Sequence, residues 1–382
     1  MSSHSLATLV VHGGRMEIEG AVSTPIFQTS TYLSDAAPAP GYDAVRYSRL
    51  SNGPGHLVLH RRLALVTGTE DALVCASGMA AISGTLLGLV SAGERVLFQR
   101  GLYGGTQMLA GADLARLGIG VDLAPSDDVS TWRAAIQPGT RVIYVEAITN
   151  PLVRVIDLTA VVALAREVGA LAVIDATFAS PVNLRPTDLG FDLEVHSATK
   201  YLNGHTDVIA GVVAGKKTLV DIVRRAQNHL GGSLDPHACF LLERGLKTLP
   251  LRVRQQNANA LALARALSTH PAVTRVHQPA LDPERFVPAA VRAAFSGYGG
   301  VLAFEVEPTL AERALARLEI ARHAPSLGGT ETLVTRPAVT SHAGLSAAER
   351  EALGIHDAVV RVACGIEAAE DLIADFAQAL EG

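Results

Sequence analysis

The sequence predicts an α/β protein with a mostly parallel central sheet covered by helices on both faces, a smaller C-terminal α+β domain and an N-terminal arm. Three observations predict it. From Glu70 onward, short apolar strands alternate with helix-length segments, the pattern of parallel strands joined by crossover helices. Most of those strands are apolar over most of their length, as expected where a sheet is covered on both faces. At 382 residues the chain exceeds what one core usually serves, so two domains are expected.

Composition narrows the function classes. With 48% hydrophobic and 18% charged residues and 35 glycines, the chain reads as a well-buried globular protein. A formal charge of −5 without runs of like charge offers no footprint for nucleic acid or an anionic membrane. Cys75, Cys239 and Cys364 are odd in number, far apart and in apolar contexts, which suits buried thiols in a reducing cytoplasm. The N-terminus shows no export signal, and a cytoplasmic protein is expected. Ala72 to Gly93 carries no charge and is long enough to span a bilayer, but Ser77, Gly78, Ser83, Gly84 and Gly88 break it into a strand, a turn and an apolar helix.

In chain order, residues 1–50 read as an arm. Ala21 to Tyr32 is rich in Thr, Ser and Pro without helical period, and Ala36 to Gly41 is a Pro/Ala connector. Arg46-Tyr47-Ser48-Arg49 runs into the turn Asn52-Gly53-Pro54-Gly55 and could be a solvated loop; an arm needs a surface, and another subunit is a natural candidate. Residues 51–235 then form the sheet domain and residues 236–382 the second domain. Strands are expected at Ala72–Cys75, Arg95–Phe98, Val121–Leu123, Val142–Val145 and Leu171–Ile174, with helices at Met79–Val90, Thr106–Leu117 and Leu158–Val168. A further apolar-rich run, Gly190 to Val195, leads into the polar decamer His196 to His205. Beyond it, Asp235 to Leu267 has long helical periodicity. Val273–Val276, Val301–Val306 and Val360–Ala363 are strand candidates beside helices at Leu310–Leu318 and Ala368–Leu380.

In open parallel sheets the ligand lies beyond the carboxyl ends of the strands. The residues there are Ser77-Gly78-Met79, Tyr103 to Thr106, Thr149-Asn150-Pro151, Asp175-Ala176-Thr177 and Ser197 to Lys200. Ser77-Gly78-Met79 opens a helix whose free N–H groups suit a phosphate. Ser197 and Thr199, two apart, would share a face of an extended segment and could hold an anion. Asp175 is either a turn cap or an acid placed to pair with a ring nitrogen cation. Lys200 either reaches solvent or carries a Schiff base, because an uncompensated buried ammonium is costly. A phosphate site, an acid, an aromatic and a lysine together meet the demands of pyridoxal phosphate. No GxGxxG follows the first strand, which disfavours a dinucleotide-binding dehydrogenase, and the histidines show no metal-ligand spacing.

These motifs, in this order, resemble the Cys/Met-metabolism family of pyridoxal-phosphate enzymes of fold type I, which includes cystathionine γ-lyase, methionine γ-lyase, cystathionine γ-synthase and O-acylhomoserine sulfhydrylases. The likeness runs through Ala21 to Thr31, Tyr47 to Arg49, Ser77 to Ala81, Tyr103 to Thr106, Thr149 to Pro151, Asp175 to Phe178, Ser197 to Asp207, Arg244 to Thr248, Ser326 to Gly328 and Arg361 to Glu367. It implies that Lys200 holds the cofactor, Asp175 faces the ring nitrogen and Tyr103 stacks on the ring and protonates the leaving group. Gly78, Met79, Ser197 and Thr199 would grip the phosphate, and Tyr47 and Arg49 would reach the phosphate of a neighbouring subunit. Asn150, Ser326 and Arg361 would orient the substrate, with Arg361 on its carboxylate.

The resemblance further implies a homotetramer built from dimers with shared active sites. Its chemistry would be a lyase reaction that eliminates the γ- or β-substituent of a sulfur amino acid or analogue, giving a 2-oxo acid and ammonia. The alternatives are a γ-replacement enzyme of the same fold and a non-catalytic scaffold relative. Several positions depart from particular members. Met108 falls near an arginine of cystathionine-handling γ-lyases, Pro325 falls where they carry a glutamate, and Gly105 stands where methionine γ-lyases have a cysteine. Gln227-Asn228 with Leu230-Gly231 looks more like cystathionine γ-lyase, whereas Asn52-Gly53-Pro54-Gly55 replaces the usual Asn-Pro-Thr.

Overall fold

The computed structural model describes residues 4–34 and 45–381; the connector Ala36 to Gly41 lies outside the described residues. A seven-stranded sheet is built from β1 (Asp71–Cys75), β2 (Arg95–Phe98), β3 (Gly120–Leu123), β4 (Thr140–Glu146), β5 (Leu171–Asp175), β6 (Leu193–Ser197) and β7 (Gly211–Gly215), in the order β1-β7-β6-β5-β4-β2-β3. Strands β6, β5, β4, β2 and β3 run parallel, and β7 runs antiparallel to both of its neighbours. The sheet is therefore mostly parallel, as its apolar strands predict.

One face of the sheet, with Leu73, Val173, Val195 and Val213, packs on the helix Gly78–Leu89. The other, with Val74, Ile143, Ile174 and Val212, is covered by helices Pro54–Thr67 and Leu158–Val168. A second sheet comprises β8 (Arg275–His277), β9 (Val301–Glu305), β10 (Arg322–His323), β11 (Leu333–Thr335) and β12 (Val359–Ala363), in the order β10-β11-β12-β9-β8. It packs against Leu249–Ser268 and Ala369–Leu380. All three cysteines are free and buried. Among the described residues no helix is long and apolar enough to cross a membrane.

Three elements differ from the sequence pattern. The expected helix Thr106–Leu117 is an α-turn at Gly104–Met108 that widens into a π-helical stretch, Leu109–Leu114; π segments inside helices are rare, and periodicity does not announce them. The run Asp235 to Leu267 is divided into Pro236–Leu246 and Leu249–Ser268. Pro250 lies in the first turn of the second helix, where its missing N–H is harmless, but the first helix could not have continued through it. The decamer is not extended beyond Ser197. Its backbone turns there, with Lys200 N donating to Ser197 O (3.1 Å) and Gly204 N to Lys200 O (2.8 Å).

Candidate active site

The carboxyl ends of β1, β4, β5 and β6, with β12 and the loops flanking β11 in the second sheet, enclose a cleft of about 700 Å³. Its walls include Gly78, Met79, Tyr103, Asn150, Asp175, Ser197, Thr199, Lys200, Ser326 and Arg361, so ten residues singled out by sequence meet in one place.

The anion end is set by backbone. Ser77 caps the helix Gly78–Leu89, its hydroxyl accepting from Ala80 N at 3.0 Å, which leaves the N–H groups of the first helical residues available to a ligand. Gly78 is required by contact: a Cβ there would lie 2.8 Å from Ser197 Cβ and 3.0 Å from its Cα. The hydroxyl of Thr199 does not share a strand face with Ser197. It lies in the turn, donating to Ala210 O (3.2 Å) and accepting from Ala210 N (3.0 Å).

The amine end joins the two sheets. Lys200 Nζ donates to Ser326 Oγ at 2.7 Å. Arg361, in the middle of β12, donates from Nη1 to Asn150 Oδ1 (3.1 Å) and from Nη2 to Ser326 O (2.8 Å). Burial pushes the Lys200 ammonium down to about 8, helped by the Arg361 charge. Desolvation lowers Arg361 itself to about 10. The loop that carries Ser326 presses on the lysine turn: Gly328 adopts φ +75°, and a Cβ there would lie 2.7 Å from Tyr201 N. Tyr201 OH in turn accepts from Gly300 N at 2.9 Å, tying the turn to the second sheet.

Between these ends stand the acids. Asp175 is 9% exposed, and its Oδ1 accepts from Thr177 N at 2.9 Å. Burial raises its carboxyl above the usual range, opposed by the hydrogen bonds of Thr177. Thr177 also accepts from Ser197 N at 2.8 Å, bracing the turn against the acid. Sequence reading passed over Glu146, whose Oε1 accepts from Tyr103 N at 2.6 Å while Oε2 is buried with no hydrogen-bond partner. A signal existed: Glu146 ends an apolar strand as Asp175 does.

Tyr47 and Arg49 are not brought to this cleft. They sit at the turn Ser48–Leu50, where Arg49 lies over the Tyr47 ring at 5.7 Å and donates to Asn228 O at 2.6 Å. Gly105 and Pro325 line the cleft, whereas Met108 is 62% exposed and does not.

A lysine amine of lowered basicity, a buried carboxylate, an aromatic wall and a helix N-terminus at one cleft fit a phosphorylated pyridine aldehyde, and two residues of the cleft, Glu146 and Arg361, each keep a buried polar atom, Oε2 and Nε, without a hydrogen-bond partner. The fold and site thus define a pyridoxal-phosphate-dependent enzyme of fold type I. The chain belongs to the family described as Cys/Met metabolism PLP-dependent enzymes, whose profile matches residues 7–381. It is 38% identical over 381 residues to the cystathionine β-lyase of Lactococcus lactis subsp. cremoris, covering 99% of each chain. It is also 38% identical over 379 residues to the chloroplastic cystathionine γ-synthase 1 of Nicotiana tabacum, covering 96% of this chain and 69% of that one. The crystal structure of cystathionine γ-lyase from Lactobacillus plantarum complexed with L-serine superposes with a TM-score of 0.93 at 35% identity, covering 98% of each chain. The family spans elimination and replacement chemistry, and these relatives favour neither.

Proposed function

We propose that this protein is a carbon–sulfur lyase that removes the γ- or β-substituent of a sulfur-containing amino acid or analogue, leaving a 2-oxo acid and ammonia. The observation that carries the reading is the hydrogen-bonded set Lys200–Ser326–Arg361–Asn150, which puts a base and a carboxylate-binding fork side by side in one cleft. Bound pyridoxal phosphate supplies the electron sink that makes Cα acidic. Gly78, Met79, Ser197 and Thr199 would hold its phosphate, Tyr103 would cover its ring and Asp175 would keep the ring nitrogen protonated.

The protein's own groups do the rest. The planar fork of Arg361 takes the substrate carboxylate bidentately, and Asn150 and Ser326 fix the direction of that fork. This aims Cα at Lys200, whose amine, already lowered in basicity, removes the Cα proton and, where the substituent is on Cγ, a second proton from Cβ; after the sulfur leaves, one water supplies the oxo oxygen and releases the nitrogen as ammonia. Tyr103 donates a proton to the departing sulfur. At the two positions where cystathionine-handling γ-lyases carry an arginine and a glutamate, this chain has Met108, which is exposed outside the cleft, and Pro325, which lines it without charge. Absent polar contacts of this kind cost about 1–3 kcal/mol each, which counts against cystathionine as the preferred substrate.

Residues 51–235 then act as the cofactor domain and residues 236–382 as the domain that brings Ser326 and Arg361. Tyr47 and Arg49, remote from their own cleft, serve the phosphate of a neighbouring subunit in a homotetramer of dimers; the protein works in the cytoplasm. Methionine, homocysteine, cystathionine and O-acylhomoserine, supplied in turn, test the activity through 2-oxo acid release without added thiol. Release from the sulfur amino acids supports the lyase; turnover of the O-acyl ester alone, and only with thiol, overturns it in favour of γ-replacement.

A further inference from the structure

Glu146 and Asp175 are register partners on the parallel strands β4 and β5, so their side chains stand on the same face of the sheet, about 4.8 Å apart along the hydrogen-bonding direction. They are 5% and 9% exposed, and both line the cleft. Two carboxylates so placed and so dry cannot both ionise at modest cost. The groups around them decide which one keeps the charge. Asp175 has a backbone donor, Thr177 N, and feels the imidazole of His196 from β6. Glu146 accepts from Tyr103 N on Oε1 and has the Asn150 backbone N–H as its other nearby donor, with no side-chain hydroxyl or imidazole of its own to share its charge. The Tyr144 phenol on β4 favours charge on Asp175 rather than on Glu146, and Gln99, just after β2, accepts from the backbone N of Glu146 rather than binding its carboxyl. Lys200 and Arg361 share the cleft, but their hydrogen bonds go to Ser326 and Asn150.

We propose that Glu146 is a positioning residue that stays protonated beside an ionised Asp175. Its Oε1 pins the backbone of Tyr103, and its proton keeps the single negative charge of the acid pair on Asp175. This deepens the cofactor-site reading and rests on it only where a bound cofactor is measured. Burial, then the Asp175 charge, push Glu146 up to about 8, in keeping with a neutral acid at physiological pH.

The test compares wild type with Glu146→Gln, a neutral isostere of the protonated acid, and Glu146→Ala, which removes the acceptor for Tyr103 N. In the cofactor-free chain, a glutamate bound near 4.3 in the unfolded state and near 8 in the folded one loses native stability as pH rises between those values, and the penalty is constant above them. The unfolding temperature of Glu146→Gln relative to wild type should therefore climb from pH 5 to pH 8 by roughly 5 °C and then level off. A difference independent of pH overturns the proposal.

With pyridoxal phosphate added, Glu146→Gln should keep the dissociation constant within about threefold of wild type, while Glu146→Ala weakens it by about tenfold or more. Equal weakening in both variants means that the charge is required, and also overturns it. If wild type takes up no pyridoxal phosphate, the cofactor-site reading fails, whereas the result for the cofactor-free chain still decides whether Glu146 is neutral. Should Glu146→Ala not fold, Glu146→Gln against wild type decides: affinity within about threefold supports the neutral acid, and about a tenfold loss overturns it.

Discussion

The role proposed for Lys200 requires a free base, and the cleft favours that form by two separable means. Burial is the larger and Arg361 the smaller cause of its fall to about 8. Because the amine's pKa is lowered, the reactive form grows as pH rises through that value. The rate at which visible absorbance appears when pyridoxal phosphate is added to the cofactor-free protein should therefore rise to a plateau with a midpoint near pH 8. Arg361→Gln removes the second cation, so the midpoint should move upward. A midpoint that stays put or falls would show that Arg361 does not act on the lysine. Lys200→Ala should abolish the absorbance band altogether, and a band that persists would exclude this lysine as the anchor.

At the scale of elements, the site depends on close approach between the start of the helix Gly78–Leu89 and the end of β6. A Cβ at Gly78 would collide with the backbone and side chain of Ser197, neither of which can yield without moving the lysine turn. Gly78→Ala is therefore expected to weaken pyridoxal phosphate binding by about tenfold, through strain of about 1–3 kcal/mol, as read by equilibrium titration. Gly88→Ala lies on the same helix where a Cβ meets its nearest neighbour at 3.4 Å, and it should leave cofactor binding unchanged. The same elements show what periodicity can and cannot say. Leu158–Val168 and Arg95–Phe98 fall where the pattern puts them, because apolar period and flanking turns are local. The π-helical widening at Leu109–Leu114 and the two-residue break before Leu249 answer to packing and to a proline, and a continuous apolar period hides both.

At the scale of the whole molecule, the arm poses the question. Gln28 Nε2 donates to Asp235 Oδ2 and Arg49 Nη1 to Asn228 O, so the arm is tied to the body while Tyr47 and Arg49 remain away from their own cleft. If they serve a neighbour, Arg49→Ala should reduce cofactor retention although Arg49 does not line this cleft. Mixing Arg49→Ala with Lys200→Ala subunits after dissociation should then restore activity in about one quarter of the sites, since each mixed dimer rebuilds one intact site. Mixed samples no more active than the separate variants would argue against shared sites.

The strand-end logic was carried by sequence alone. Ser77-Gly78-Met79, Asp175 and Ser197 to Lys200 each follow an apolar run that reads as a buried strand, and although a cap or a solvated amine would explain any one of them, their recurrence at successive strand ends points to a ligand. The rule applied equally to Glu146, and only the structure exposed the oversight, by leaving one of its oxygens without a partner. Other features required the tertiary fold. Ser326 meets Lys200 across 126 positions, and Arg361 meets Asn150 across 211, through a second sheet whose docking no local pattern encodes. Thr199 reached the site through a turn rather than a strand, because the hydrogen bonds to Ala210 that hold it come from the strand returning alongside. Local sequence determines where strands end and which chemistry waits there. Contacts between distant segments, made only when two sheets bury their apolar faces, determine which of those groups can act on one molecule.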